Sequence, residues 1–297
     1  MVHDAIVIGG SFAGLSAATY IARARRSVAI IDAGAPRNRF ASHSHGFFSR
    51  DGSSPLDMLA IAREQVDAYP STHLIAGKAA TARRDGDIFA VALESGETVS
   101  SRYLVLAYGV SDELPELPGL AERWGQSVII CPYCHGFEFS GQQIGVLYAS
   151  DMSSHQAMLV SEWGPTTYYL NGADLPDAAT LAELEKRGIA IERTPVAGLE
   201  GEGSGLSGIR LADGRTLPLN VLYIGPRNRL NSDIAQQLGC EIEDGMFGSV
   251  VKTNEMKQTS VPGVFAAGDI TRSAHNVTWA TSDGVMAGTG VHRALVF

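Results

Sequence analysis

Short apolar runs broken by glycine turns dominate the chain, and they fall into two series. The first opens with Asp4 to Ile8, a run of strand length, then Gly9-Gly10-Ser11, then small residues from Ala13 to Arg25 that predict a helix. Ser27 to Asp32 is a second apolar run ending in an acid, which completes a strand–helix–strand unit with parallel strands. Pro55 to Tyr69 has the spacing of an amphipathic helix. Alternation from Ile88 to Leu93, followed by Glu94-Ser95-Gly96-Glu97, predicts an antiparallel hairpin. Tyr103 to Ala107 is another buried strand, closed by Tyr108-Gly109.

Pro115 to Gly119 reads as a hinge, since two prolines stop any regular element there. The pattern then restarts, with strands at Gln143–Ala149 and Thr166–Leu170, a helix at Ser153–Trp163 and a second hairpin around Ala212-Asp213-Gly214-Arg215. The chain returns through Leu222–Asn228 to Gly263–Asp269. This order predicts an α/β fold in which residues 1–115 and 220–297 form one domain and residues 116–219 a smaller inserted one.

A length of 297 residues suits two modest domains, and 45% hydrophobic with 19% charged residues excludes a disordered chain. The net charge of -9 argues against nucleic acid or an anionic membrane as partner. No apolar run is long enough to span a bilayer, and Met1-Val2-His3-Asp4 lacks a basic leader, so a cytoplasmic protein is expected. Three cysteines cannot make a disulfide framework, and Cys240 reads as a structural thiol.

Gly9 and Gly14 hold the outer positions of a G-x-G-x-x-G turn, and Ser11 replaces the middle glycine. Such a turn lets backbone N–H groups, here of Ser11, Phe12 and Ala13, approach a pyrophosphate at a helix N-terminus. Asp32 stands where a carboxylate takes ribose hydroxyls and disfavours a 2′-phosphate, so FAD or NAD is expected.

Cys131-Pro132-Tyr133-Cys134-His135-Gly136 carries the other two cysteines. A dithiol at this spacing can close and reopen, passing two electrons each time. Buried core thiols, c-type haem attachment through C-x-x-C-H and a glutaredoxin-like pair are the competing readings. Haem attachment wants an exported chain, and the glutaredoxin fold places its pair near its own N-terminus. Zinc would need a second ligand pair, and His43-Ser44-His45 has no carboxylate to complete a site, so no metal is expected.

With both motifs in place, the chain resembles the low-molecular-weight thioredoxin reductase family over nearly its whole length. Ala107-Tyr108-Gly109 resembles that family's Ala-Thr-Gly strand closure, and Ile224-Gly225-Pro226-Arg227-Asn228 its return into the flavin domain. Val264 to Asp269 resembles the motif in which Gly268 and Asp269 meet the ribityl chain, and His275-Asn276-Val277 follows where the family contacts the isoalloxazine. The resemblance implies FAD as cofactor, Cys134 as the flavin-facing thiol, Cys131 as the thiol that exchanges with substrate, and a homodimer. It departs at His135, where thioredoxin reductases have an aspartate. Cys-x-x-Cys-His-Gly is more similar to the dithiol oxidases that close disulfides in gliotoxin- or holomycin-like products, as is the loop carrying Arg37, Asn38 and His45.

It departs again in the inserted domain. Where the family has a glycine turn for NADPH, Tyr148, Ser150 and Ser153 stand in the small-residue positions, and Asp174 lies where a basic cluster would hold the 2′-phosphate. The expected activity is thus oxidation of a dithiol by Cys131–Cys134, with His135 as acid/base, FAD as electron acceptor and oxygen reoxidising it. The expected partner is a small-molecule dithiol or disulfide, or a thioredoxin-like protein. A reductase fed by NADPH or ferredoxin, and a non-catalytic redox-sensing flavoprotein, are the alternatives.

Overall fold

β1 (Val2–Ile8) enters the interior almost at once, and Ala5, Ile6 and Val7 are fully buried. Burial on both faces is what a central parallel strand requires. The structure, a computed structural model, describes residues 1–297. α1 (Phe12–Arg23) crosses from β1 to β2 (Val28–Asp32), and the two strands pair in parallel. α2 (Pro55–Asp67) leads to β3 (Thr72–Ala76), which extends the sheet beyond β2. β4 (Ala79–Asp85), β5 (Ile88–Leu93) and β6 (Thr98–Leu106) then form an antiparallel meander. β6 also runs parallel to β1, so the meander closes onto the parallel half of the sheet. β7 (Val110–Asp112) follows.

The next segment builds a second sheet. β8 (Val128–Ile129) precedes the short helix α3 (Pro132–His135), and β9 (Ile144–Leu147), α4 (Ser153–Val160), β10 (Thr166–Tyr169), α5 (Ala178–Lys186) and β11 (Ala190–Glu192) follow. β12 (Val196–Glu200), β13 (Gly208–Leu211) and β14 (Thr216–Pro218) make a separate antiparallel layer, and β15 (Val221–Tyr223) completes a five-stranded sheet in the order β11-β10-β9-β15-β8. The chain then returns through β16 (Asn228–Leu230), α6 (Ile234–Gln237), β17 (Ile242–Asp244) and β18 (Ser249–Val251). β19 (Val264–Ala266) pairs in parallel with β6, and the long helix α7 (Val277–Val296) follows.

Two compact units result: Met1–Arg39 with Pro55–Ser111 and Asn228–Phe297, and Phe40–Ser54 with Asp112–Arg227. Their borders differ from the expected ones in two respects. Residues 40–54 belong to the second unit, where Ser42 Oγ donates to Gln126 Oε1 at 3.0 Å and Gln126 Nε2 donates to the Phe40 carbonyl. Pro115–Gly119, expected as a hinge, is anchored inside the second unit: Leu199 N donates to Pro118 O at 2.8 Å, and Leu117 packs on that unit's core. The chain passes between units at 39–40, 54–55, 111–112 and 227–228.

The helix that sequence patterning passes over is α7. Its glycines break the apolar stripe, yet they are what seat it. A side chain at Gly284 would collide with Ala13 O and stand 2.8 Å from Ser16 Cβ, and one at Gly288 would lie 2.5 Å from Ala17 O. The two backbones are in contact, a geometry open to glycine alone. No helix is long and apolar enough to cross a membrane. Gly284→Val should therefore force α1 and α7 apart and cost about 1–3 kcal/mol of stability, read as a lower thermal midpoint by circular dichroism. An unchanged midpoint would mean that the helices do not approach this closely.

Candidate active site

In the first unit, the turn after β1 is packed as a dinucleotide turn must be. Gly9 has φ +113, and a Cβ there would strike Ala107 O, while one at Gly14 would strike Gly9 O. Ser11 sits at the N-cap of α1 with no capping bond from its side chain, so the first amides of a 12-residue helix remain open to an acceptor. Ala13 packs on Gly268, whose Cβ would be 2.9 Å from that of Ala13. Phe12 lies half-buried against the same core.

Asp32 is less free than expected. Its Oδ1 accepts from Gly10 N at 3.1 Å and its Oδ2 from Arg63 Nη2 at 2.6 Å, which leaves its remaining lone pairs for a ribose hydroxyl. Arg63, on α2, carries no sequence signal beyond being a polar residue on a helix. Ala107 N closes the strand end on Ile8 O, and Gly109, at φ +68, is tied through its carbonyl to Asn231 N at 3.1 Å.

The same unit gathers the residues expected near the flavin from both ends of the chain. Arg37 Nη1 donates to Asp269 Oδ2 at 3.0 Å and stands 2.6 Å from His275 Nδ1. A guanidinium only donates, so Nδ1 accepts, and His275 is the neutral Nε2–H tautomer donating to Arg272 O at 3.0 Å. Asn38 shares the 3-10 turn of Arg37, and Asn276 caps α7 by accepting from Thr278 N at 2.7 Å, with Val277 first in the helix. The cradle, the open amides and the Arg37–Asp269 pair fit a bound adenine dinucleotide.

The second unit holds the dithiol. Cys131 is the N-cap of α3 and Pro132 its first residue, a position where a missing N–H costs nothing. Cys134 Sγ donates to Cys131 Sγ at 2.7 Å. That bond, with backbone N–H groups of Cys134 and Tyr133, pulls the Cys131 thiol down to about 7 against the opposing effect of burial. The same bond and burial push Cys134 up. Cys131 is therefore the sulfur that ionises near neutral pH. Burial holds the His135 imidazole below its ordinary value; Glu138 pulls it upward, and His45 and His43 pull it down. His135 is thus neutral at neutral pH and able to accept a proton.

His45 is not among the nucleotide-turn residues. It falls in the second unit beside His135, with ring centroids 6.2 Å apart and planes at 87°. Residues 40–54 fold against a segment some ninety residues on, which local patterning cannot show.

Residues 3–284 match the family described as pyridine nucleotide-disulphide oxidoreductase. The chain belongs to that family. Thioredoxin reductase sirT of Leptosphaeria maculans is 33% identical, over 98% of this chain and 94% of its own length. The crystal structure of an oxidoreductase from Agrobacterium tumefaciens is 44% identical with a TM-score of 0.95, covering 100% of this chain and 99% of its own. That of HlmI is 35% identical with a TM-score of 0.94, covering 99% and 93%. The protein is a thioredoxin-reductase-like oxidoreductase, which sets aside the non-catalytic sensor, and the family typically binds FAD.

In the turn after β9, Ser153 Oγ accepts from Ala149 N at 2.9 Å and from Ser150 N at 3.2 Å, so a side chain takes up two of the amides of that turn. Tyr148 OH donates to Asp151 Oδ1 at 3.4 Å over the same turn. The adjoining cleft of about 590 Å³ is lined by Tyr148, Tyr168, Asp151, Asp174 and Asp177. Asp177 caps α5 by accepting from Ala179 N and Thr180 N.

In the reduced enzyme, limiting iodoacetamide at neutral pH should alkylate Cys131 before Cys134. Since only the thiolate reacts and the Cys131 thiol is held at about 7, its rate should climb as pH rises through that value and then level off. Peptide mass spectrometry checks this, and preferential labelling of Cys134 would reverse the two roles.

Proposed function

We propose that this protein is an FAD-dependent dithiol oxidase that closes a disulfide in a small organic dithiol without using NADPH. The observation that carries the reading is Ser153, whose hydroxyl occupies the two amides of the β9–α4 turn. A pyrophosphate there would have to displace an internal hydrogen-bond acceptor and enter a cleft lined by Asp151, Asp174 and Asp177, whose charges repel it. The helix after β1, in contrast, has no side-chain cap on its first amides.

The residues of the dithiol perform the exchange. A substrate thiolate attacks Cys131 Sγ, the Cys131–Cys134 bond breaks, and the electron pair leaves on Cys134. The second substrate thiolate then attacks the sulfur bound to Cys131, forms the product disulfide and releases Cys131 as a thiolate. A thiol held at about 7 is a good leaving group at neutral pH. His135, neutral and next to Cys134 in sequence, takes up a thiol proton. Tyr133 and Phe137, largely exposed to either side, offer apolar surface to a small substrate. Each turnover moves two electrons and two protons. FAD, held when bound by the Gly9–Gly14 turn, Asp32, Arg37 and Asp269, supplies the two-electron sink, with dioxygen as final acceptor leaving as hydrogen peroxide.

A homodimer in the cytoplasm is part of the same proposal, through the family resemblance. The second reading, a reductase fed by NADPH, is favoured by the family's description and by the name of sirT. Anaerobic stopped-flow separates them. A small dithiol should bleach the flavin absorbance far faster than NADPH does. Saturable reduction by NADPH at the rate of turnover would establish the reductase instead. His135→Ala should slow reduction by dithiol about 10²-fold at neutral pH. Identical pH–rate limbs in wild type and variant would leave His135 a packing residue.

A further inference from the structure

We propose that His45 is a positioning residue for the dithiol, forming with Glu138 an imidazole–carboxylate pair that receives the proton taken up by His135 and passes it toward solvent. This rests on the oxidase reading, in which every turnover must move two thiol protons past a half-buried cysteine pair, with no net proton gained or lost once hydrogen peroxide leaves.

The geometry is built around one side chain. His45 Nε2 stands 3.4 Å from Glu138 Oε1, and His45 Nδ1 stands 3.6 Å from Asp51 Oδ1. Both ring nitrogens therefore face a carboxylate, one beside the dithiol helix and one with 72% of its side chain exposed. Glu138 follows His135 by three residues and acts on it electrostatically, so it addresses both imidazoles. A proton on His135 thus has a neighbouring carboxylate, then a second imidazole, then a solvated carboxylate.

The loop that presents His45 is closed on itself. Ser44 N donates to Ser53 O at 2.8 Å and Gly52 N to Ser44 O at 3.0 Å. Gly46 and Gly52, with φ of +76 and +72, make the turns that bring the chain back. Gly46 N donates to Asp51 Oδ1 at 2.8 Å, which holds the Asp51 carboxyl below its ordinary value and so keeps it anionic. The charged and titratable groups facing His45 are Glu138, Asp51, His135 and, with its ring centroid 6.4 Å away, His43. Two carboxylates and two imidazoles around one ring form an arrangement that stores and moves a proton.

The coupling is tested on the FAD-loaded protein by two readouts. The first is the titration midpoint of the His135 ring protons by NMR. His45→Gln removes a neighbour that becomes cationic, so the midpoint should rise; Glu138→Gln removes an anion, so it should fall. Opposite shifts cannot come from a general loosening of the loop. The second is the pH profile of anaerobic flavin reduction by dithiothreitol. His45→Ala should slow it roughly tenfold near neutral pH, less than loss of His135 itself, and added imidazole should restore the rate. An unmoved His135 midpoint overturns the proposal, as does a rate loss that is equal at all pH values and not rescued by imidazole. Should wild-type flavin not be reduced by dithiothreitol, the oxidase reading falls, and the His135 midpoints alone then judge the pair.

Discussion

Backbone-to-backbone contact along α1 is the constraint on which the first unit depends. Gly14 lies against the Gly9 carbonyl at the start of the helix, and Gly284 and Gly288 of α7 lie against the Ala13 and Ala17 carbonyls along its side. Each contact excludes even a methyl group. The helix is thereby fixed both along its axis and about it, and with it the direction of its open N-terminal amides. Ala13, which touches Gly268, carries that registration to the 3-10 turn holding Asp269.

The two strand–turn–helix units show how a single hydroxyl changes what a turn can bind. After β1 the turn has a serine at the N-cap that makes no capping bond to the first amides of the helix. After β9 the serine is the first residue of the helix, and its oxygen reaches back to two amides of the turn. In the second turn two amides are thus satisfied from within the chain, whereas no side chain caps the first amides of α1. The cleft beside the second turn adds to the contrast, since Asp151, Asp174 and Asp177 are among its lining residues.

What sequence could reveal followed the range of the interactions. β1, α1 and β2 were legible because a buried parallel strand, a glycine turn and a closing acid are all local features. The hairpins β5–β6 and β13–β14 were legible for the same reason. α7 was not, because its glycines make sense only against α1, more than 250 residues away. His45 follows Arg37 and Asn38 closely in sequence, and the change of unit between Arg39 and Phe40 leaves no local mark. Arg63 and Glu138 gave no signal, since a charged residue on a helix or turn looks the same whether or not it meets a partner. At the β9 turn, sequence shows the residue types but not their bonding. The side chains at Tyr148, Ser150 and Ser153 are visible in the sequence, whereas the two hydrogen bonds that Ser153 accepts are not.

The interleaving of the two units also sets an order on biosynthesis. Everything in the second unit precedes Asn228, so its sheet and its dithiol helix can be assembled while the chain is still being made. The first unit cannot finish then, because β6 lacks β19 along Leu104 to Leu106 and α1 lacks its cover from α7. Closing those long-range pairs carries the loop-closure entropy of the whole intervening segment. At that stage the segment with the cysteine pair can be folded while Gly268 and α7 have yet to reach α1, so its thiols can meet the redox state of their surroundings before the first unit is complete.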